Sequence, residues 1–435
     1  MLSAIKKISL LLLLFPLTTF ASNDLFDHAT NAAVLIQTNI IHGFSEDKEA
    51  EKTTEGSGFL IDKENGLIMT NAHVAGRGVS DIFLRFHKQR RSIKAEKYFV
   101  DPYHDVAILK IDPKSIPLSA NQLSLDCDYN LKRGEEIFAI GHPENTEFQI
   151  TRGVLSGEFD NDVDGIFWST DLVIEPGSSG GAAISYESGQ VIGIATAGWD
   201  ESDISLLTKS RDICTIWKPI QNESSPTRPL VGFQQMMVEG YLSKYIGLVY
   251  DANLPLKTGD LIHTWNHGNV WNINQHTRFS DLLRGHNGKS FELTVIRDGK
   301  NLSYEIPIKR GISHDNRDWV YFTGLTFAEN LQEDGNFIVG YYPDRVVRLQ
   351  SIKISESEIM GIEVPLRAIL HSINGQRIKS IKQLHTILQK HNTENKNTRL
   401  KFAFNASDVT PEAWRYLFTR DMLVKDLQSN LSNNR

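Results

Sequence analysis

The chain is poor in cysteine: its 435 residues include two, Cys127 and Cys214, and neither has a CxxC partner. Its 14 histidines form no HExxH string and no Cys/His cluster at zinc spacing, so no metal centre is expected. His263, His267 and His276 lie close together in sequence and read as solvated loop residues. Beyond the N-terminus there is no long uninterrupted apolar run, and a helix needs roughly 20 such residues to span a bilayer. Positive charge is scarce too. Lysine and arginine number 46 against 53 aspartates and glutamates, a net charge of −7, which argues against a nucleic-acid partner.

Hydrophobic residues make up 40% and charged residues 23%, the balance of a folded globular chain, and the length predicts two to four units. The first segment stands apart. Lys6 and Lys7 precede the apolar run Ile8 to Leu17, and Thr19 and Ala21 put small residues at positions −3 and −1 of a cut. Residues 1–21 therefore read as a secretory signal peptide, the apolar run being too short for a membrane anchor. Loss of Lys6 and Lys7 takes the net charge from −7 to −9. Export points to a periplasm, where a disulfide is permitted. Pairing of Cys127 with Cys214 across a loop of roughly ninety residues and two separate buried thiols are both compatible with the sequence.

Residues 32–200 are written as short apolar runs separated by Gly, Asn, Asp or Pro. The runs are Ala32 to Ile36, Gly58 to Ile61, Leu67 to Thr70, Asp81 to Leu84, Val106 to Leu109, Glu136 to Ile140, Phe148 to Thr151, Phe167 to Thr170, Asp171 to Ile174 and Val191 to Ile194. Strands at this spacing predict a barrel or sandwich. The charge run Ser45 to Lys52 reads as a solvated loop. A helix is expected over about 204–221, followed by a polar linker at Gln221 to Thr227. Two mixed αβ segments come next, 229–311 and 314–406, and then a helical tail over 407–435. The second segment carries Ile369 to Ile373, the turn Asn374-Gly375 and a helix from Ser380 to Lys390.

Acyl transfer by serine needs a hydroxyl that loses its proton as it attacks, an imidazole to take that proton, and a carboxylate to fix the imidazole. Three strings supply them. Thr70-Asn71-Ala72-His73-Val74 ends an apolar strand and offers His73 as the general base. His104-Asp105-Val106-Ala107 puts Asp105 at the entry to a buried strand, where a carboxylate needs a donor. Glu175-Pro176-Gly177-Ser178-Ser179-Gly180-Gly181 offers Ser179 as the nucleophile, with Ser178 the less favoured alternative. Its glycines allow a tight turn that points the amides of Gly177 and Ser179 at one spot, an oxyanion hole. A flexible turn, a structural histidine or a turn aspartate would each be commonplace alone. The chain order His, Asp, Ser within one strand-rich stretch is that of the chymotrypsin class.

On these strings, together with Gly56-Ser57-Gly58-Phe59, Ile140-Gly141-His142-Pro143 and Thr151 to Gly157, the sequence resembles the HtrA/Deg serine proteases. The resemblance covers about residues 56–181. It implies a mainly β fold, a trypsin-like double six-stranded β-barrel over 22–222 with the triad in the cleft between barrels. It also puts Val173, Ile174 and Ala195 in the primary specificity pocket, an apolar wall that favours small or medium aliphatic residues. Ser178 stands where the family usually has asparagine. The segments 229–311 and 314–406 look like α+β PDZ domains, the second divergent, in a layout similar to plant-type Deg proteins. In the first, Met237 to Ile246 reads as helical.

The resemblance implies ATP-independent cleavage of misfolded or exposed polypeptide with no cofactor, C-terminal peptides as ligands of the PDZ-like segments, and a homo-oligomer built on trimers. The competing class is a non-catalytic chaperone or PDZ scaffold. An imidazole accepts a proton only when neutral, so cleavage of unfolded casein is expected to fall as the pH drops below about 6.5. A rate that stays flat from neutral pH to about pH 5 would contradict this assignment of the base.

Overall fold

The computed structural model describes residues 22–431 apart from 45–52, 144–145, 162–164, 199–203, 238–243, 250, 252, 266–267, 270–280, 282, 287, 311–316, 330–346, 353–367, 395–397 and 406–416. The expected signal peptide and the charge run Ser45 to Lys52 lie outside the described residues.

Two sets of six strands close into barrels. The first contains β1 (Ala33–His42), β2 (Thr53–Asp62), β3 (Leu67–Thr70), β4 (Val79–Phe86), β5 (Ile93–Asp101) and β6 (Val106–Lys110), ordered β1-β2-β3-β6-β5-β4. The second contains β7 (Glu136–Gly141), β8 (Gln149–Asn161), β9 (Gly165–Thr170), β10 (Ala182–Ser185), β11 (Val191–Gly198) and β12 (Ser205–Lys209), ordered β7-β8-β9-β12-β11-β10. The orders are identical once the second is shifted by six. The expected fold class thus stands in its protease half.

Strands β3 and β6 read as solid apolar runs because both of their faces are buried. On β3, Leu67 and Met69 join a cluster shared with Phe138, Ile140 and Ile184 of the second barrel, while Ile68 joins a cluster confined to the first. On β6, Val106 and Ile108 face the shared cluster, and Ala107 and Leu109 the confined one. Period-two alternation persists, but it sorts residues between two cores instead of between core and water.

Among the described residues, three α-helices accompany the barrels: α1 (Ser22–Ala32), α2 (Ala72–Ala75) and α3 (Ser210–Gln221). Ala29 and Ala32 of α1 and Ile213, Ile216 and Trp217 of α3 enter the shared cluster. Cys214 on α3 is disulfide-bonded to Cys127, with Cα atoms 5.6 Å apart. The helix expected from 204 therefore starts later. Ser205 to Lys209 is the strand that pairs with both β9 and β11, so barrel closure overrides local preference.

The first C-terminal unit is an antiparallel sheet of Phe233–Met237, Lys244–Val249, Leu261–Trp265, Ser290–Arg297 and Lys300–Pro307, with Gly268–Asn269 at its side. Met237 and Ile246, predicted to bound a helix, belong to strands paired with each other. His263, predicted in a solvated loop, is half-buried within Leu261–Trp265. The two-residue turn Asp298-Gly299 has φ of 51° and 71°, the left-handed pair that a tight hairpin demands.

The second unit orders its strands Leu417–Met422, Leu400–Asn405, Ile369–Ile373, Val347–Ile352, Leu325–Glu329, Trp319–Phe322 and Gln428–Asn430. Helix α4 (Ile381–Glu394) buries Ile381, Leu384 and Leu388, a three- and four-residue spacing. The tail predicted as helical instead holds the strands Leu417–Met422 and Gln428–Asn430, with irregular chain between them. Leu417–Met422 pairs along the whole of Leu400–Asn405, with Asp421 exposed and Met422 buried. The rings of Trp319 and Tyr321 pack against His42 of β1, with centroids 4.8 and 4.4 Å away.

The first unit meets the first barrel through buried charge. Arg284 pairs with Asp101 at the end of β5 and with Asp281, and Arg228 of the linker bonds Asp281 at 2.7 Å. His104 lies 3.5 Å from Asp101 and 3.6 Å from Asp281. Burial pushes both carboxyls upward, but the guanidiniums and His104 outweigh it and hold both well below the usual carboxylate range. Their contribution to stability is thus complete above about pH 4 and is lost only as the pH falls through the depressed values. Arg284→Ala strands Asp101 in an interior without its partner and is expected to cost about 3–5 kcal/mol in urea unfolding. Adding Asp101→Asn should recover part of it, and a loss under about 1 kcal/mol would show the pair to be incidental.

Candidate active site

Antiparallel pairing brings the sequence-predicted base and acid together. On β3 and β6 Thr70 lies opposite Ala107, so residues just after β3 and just before β6 share one edge of the first barrel. His73 occupies α2, and Asp105 precedes Val106. The Asp105 carboxylate accepts the His73 backbone N–H at 2.9 Å and lies 2.6 Å from ring Nδ1. A carboxylate can only accept, so Nδ1 carries the proton and Nε2 is the basic nitrogen. Asp105 has φ +53°, a left-handed conformation that costs about 1–2 kcal/mol in a residue with a Cβ. Asn71, fully buried, holds it there by donating to the Asp105 carbonyl at 2.8 Å.

Ser179 comes from the second barrel, in the turn before β10. Its hydroxyl donates to the Thr196 carbonyl at 3.1 Å. The Thr196 hydroxyl accepts from Asn71 at 3.3 Å, so a short polar chain crosses from the Ser179 turn to the Asp105 turn. Gly56 of β2 lies in the same seam. A Cβ there would come within 2.6 Å of Val74 and 3.2 Å of the Ser179 carbonyl oxygen, so only glycine permits this approach of the two barrels.

Every carbonyl in the segment 177–179 has a donor. Gly177 O accepts from the Ser57 hydroxyl at 2.7 Å, Ser178 O from the Gly181 amide at 3.0 Å, and Ser179 O from the Ser57 amide at 2.7 Å. The amides of Ser178 and Gly180 are used as well, by Glu175 O and Ala195 O. The amides of Gly177 and Ser179 remain, and among the described residues neither has an acceptor. Two unpaired donors beside a serine hydroxyl are what a tetrahedral oxyanion requires. Gly177 has φ +94°, and a Cβ there would meet His142 O at 2.2 Å.

The three residues expected at the specificity pocket separate. Ala195 is buried in the second barrel's own cluster, Ile174 packs against that cluster half-buried, and Val173 is 61% exposed. Asp171 to Ile174, predicted as a strand, is irregular, with the exposed Asp171 carboxylate accepting the Val154 amide at 2.6 Å. The sequence reading gave no role to Ser57, Asn71, His142 or Thr196. Three of them lie inside the quoted motif strings, and the usable signal was a polar residue embedded in an apolar run, which burial obliges to find a partner.

Residues 56–194 match the model of the trypsin-like peptidase domain. A protein described as a probable periplasmic serine endoprotease, DegP-like, from Pseudomonas fluorescens is 36% identical over 283 residues, covering 60% of this chain and 57% of that protein. Its counterpart in Halomonas elongata is 29% identical over 279 residues, covering 59% and 57%. The chain thus spans a little over half the length of these two relatives. The Hahella chejuensis counterpart is 25% identical over 375 residues, covering 79% and 76%. Among solved structures, the HtrA-type protease AlgW with decapeptide is similar in fold, with a TM-score of 0.53 at 21% identity over 67% of this chain and 98% of that one. Twin barrels, family model and relatives agree that the chain carries a trypsin-like peptidase domain and is similar to the DegP-like serine endoproteases.

Proposed function

We propose that the chain is an exported serine endopeptidase that cuts misfolded or exposed polypeptide, with Ser179 as nucleophile, His73 as general base and Asp105 as its orienting acid. The observation that carries this reading is the pairing of a doubly bonded His73–Asp105 couple on one barrel with two unpaired amides flanking Ser178 on the other. Rotation of the Ser179 side chain away from Thr196 frees its hydroxyl for His73 Nε2. The nitrogen takes the proton as Oγ attacks the scissile carbonyl carbon, and the oxyanion settles on the amides of Gly177 and Ser179. The C–N bond then breaks as His73 returns that proton to the leaving amine, leaving an ester on Ser179. Water attacks the ester, His73 takes its proton, and Oγ recovers it as the acid departs.

Ile174 and Ala195 supply an apolar wall for small or medium aliphatic side chains at the cleaved position, while Val173 is left at the rim by its exposure. The relatives are named as periplasmic, and with the N-terminal signal pattern this assigns the mature chain to the periplasm. The two C-terminal units are read as PDZ-like, able to add an extended C-terminal peptide as an extra strand at a sheet edge. The native form is read as a homo-oligomer based on trimers.

A fluorophosphonate probe should label the folded protein on Ser179 alone, and Ser179→Ala should lose both the label and casein cleavage by roughly 10⁴-fold or more. A wild-type protein that takes no label and cuts nothing, while still suppressing aggregation, would be the non-catalytic binder instead.

A further inference from the structure

The strands at the two ends of the second C-terminal sheet, Leu417–Met422 and Gln428–Asn430, come from one short piece of chain. Laid flat with neighbours about 4.8 Å apart, the seven strands from one end to the other would separate those ends by roughly 29 Å. The six Cα steps from Met422 to Gln428 reach at most about 22 Å. The sheet therefore curls, and the segment that joins its ends clasps it. Thr323, in the turn between Trp319–Phe322 and Leu325–Glu329, is buried, so its polar groups need partners. The segment supplies them. Leu423 O accepts the Thr323 hydroxyl at 2.6 Å, Lys425 O accepts the Thr323 amide at 2.9 Å, and the Lys425 amide donates to Thr323 Oγ1 at 3.0 Å. Met422 and Val424 are buried in the unit's core, and Leu427 and Leu431 pack half-buried against it. Between those leucines Gln428–Asn430 adds antiparallel to Trp319–Phe322, with Ser429 opposite Val320. Gln428 Oε1 lies 3.3 Å from Nε2 of His42 on the first barrel.

We propose that residues 423–431 are a built-in ligand of the second unit: by strand addition they fill the edge of Trp319–Phe322 that a peptide from elsewhere would need. This rests on the reading of both units as peptide acceptors and narrows it, leaving outside peptides to the first unit, where Phe233–Met237 ends the sheet. The occupant has the chemistry that recognition of an extended peptide at a sheet edge uses, main-chain bonds for affinity and spaced apolar side chains for register. Gln428–Asn430 supplies the first, and Val424, Leu427 and Leu431 the second. Leu427 and Leu431 are four apart, an even spacing that turns both to one face of an extended chain. Tethering then excludes competitors. A segment on a short connection is present at an effective concentration in the millimolar range, so a free peptide of micromolar intrinsic Kd is weakened on the order of a thousandfold.

The test uses the full-length chain with Ser179→Ala, so that the probe is not cut, and a fluorescein-labelled synthetic peptide of residues 423–431 with a photoreactive group in place of Gln428. Chains with a loosened tail should bind it at least about tenfold more tightly than this parent. Loosening is by Leu427→Ser with Leu431→Ser, or by Gln428→Pro and Ser429→Pro made separately. Adjacent N–H groups on a strand point to opposite sides, so one of the two prolines removes a ladder bond. Cross-links in the loosened chains should map to Trp319–Phe322. Equal affinity in parent and loosened chains, with cross-links on Trp319–Phe322 in both, overturns the inference and leaves strand addition standing. Binding by neither, or cross-links confined to the first unit, overturns it and removes strand addition at the second unit as well. Hydrogen exchange in the parent needs no loosened variant: slow exchange of the ladder amides between 319–322 and 428–430 is expected, and exchange as fast as that of a free peptide overturns the inference.

Discussion

Phe59, Met69 and Ile108 from the first barrel share one buried cluster with Phe138, Ile140 and Ile184 from the second, each worth about 2 kcal/mol in apolar surface withheld from water. That seam positions the whole proposed triad, because neither barrel carries all three of its members. His73 and Asp105 belong to one, Ser179 and its amides to the other, and a shift of about 1 Å between them is enough to spoil a proton transfer. Close packing resists such a shift, since a well-filled interior does not deform gradually. Glycines mark where the seam is tightest. At Gly56, and at Gly180, where a Cβ would lie 2.0 Å from Ser57 O, the backbones touch with no room for a side chain.

Upon that packed seam the structure sets groups that would be unfavourable elsewhere. Asp105 is left-handed without being glycine, Asn71 is a buried amide, and His142 is an imidazole kept neutral by its surroundings. Each is tolerable because a directed hydrogen bond answers it, and each of those bonds leads towards the proposed catalytic groups. Asn71 fixes Asp105, Asp105 fixes the tautomer of His73, and His142 fixes Ser57. Strain and burial of polar groups concentrate where geometry must be exact to a few tenths of an ångström, and the flanking apolar strands supply the surplus that sustains them.

The barrels were largely legible in the sequence because their strands are short, apolar and punctuated by turn residues. β5 was not, since Ile93–Asp101 carries Lys94, Glu96, Lys97 and Asp101 among its apolar residues, and its membership depends on pairing with β4 and β6. The same holds for Ser205 to Lys209 and for Leu417 to Met422, whose state is decided by a distant partner strand. Local pattern gave the identities of His73, Asp105 and Ser179 as candidates, because each stands beside residues that make sense only at a strand end or a tight turn. It gave no access to the pairing of Ser57 with Gly177, 120 residues apart, or of Asp101 with Arg284, 183 apart. Such contacts are properties of the closed fold, and no window of sequence contains both members.

The charged joint between the first barrel and the first C-terminal unit bears on the edge that carries His73 and Asp105 through chain connectivity. Asp101 ends β5, Asp105 precedes β6, and the turn between them includes His104, whose amide donates to Asp101 at 2.9 Å. Arg228 stacks over Tyr103 in the same turn, 4.0 Å from the ring centroid. Three of the five residues from Asp101 to Asp105 are therefore in contact with groups from the linker or the C-terminal unit. If that unit moved away, Asp101 would be left as a carboxylate lacking its guanidinium partner, and a low-dielectric setting makes an unpartnered charge far costlier than a missing neutral contact. The turn would have to rehydrate to accommodate it. Asp105 hangs on that turn with a strained φ and its bonds to Asn71 and His73, so an arrangement that keeps Asp101 dry also keeps the imidazole aligned. The C-terminal unit is, in this sense, part of the wall against which the aspartate is held.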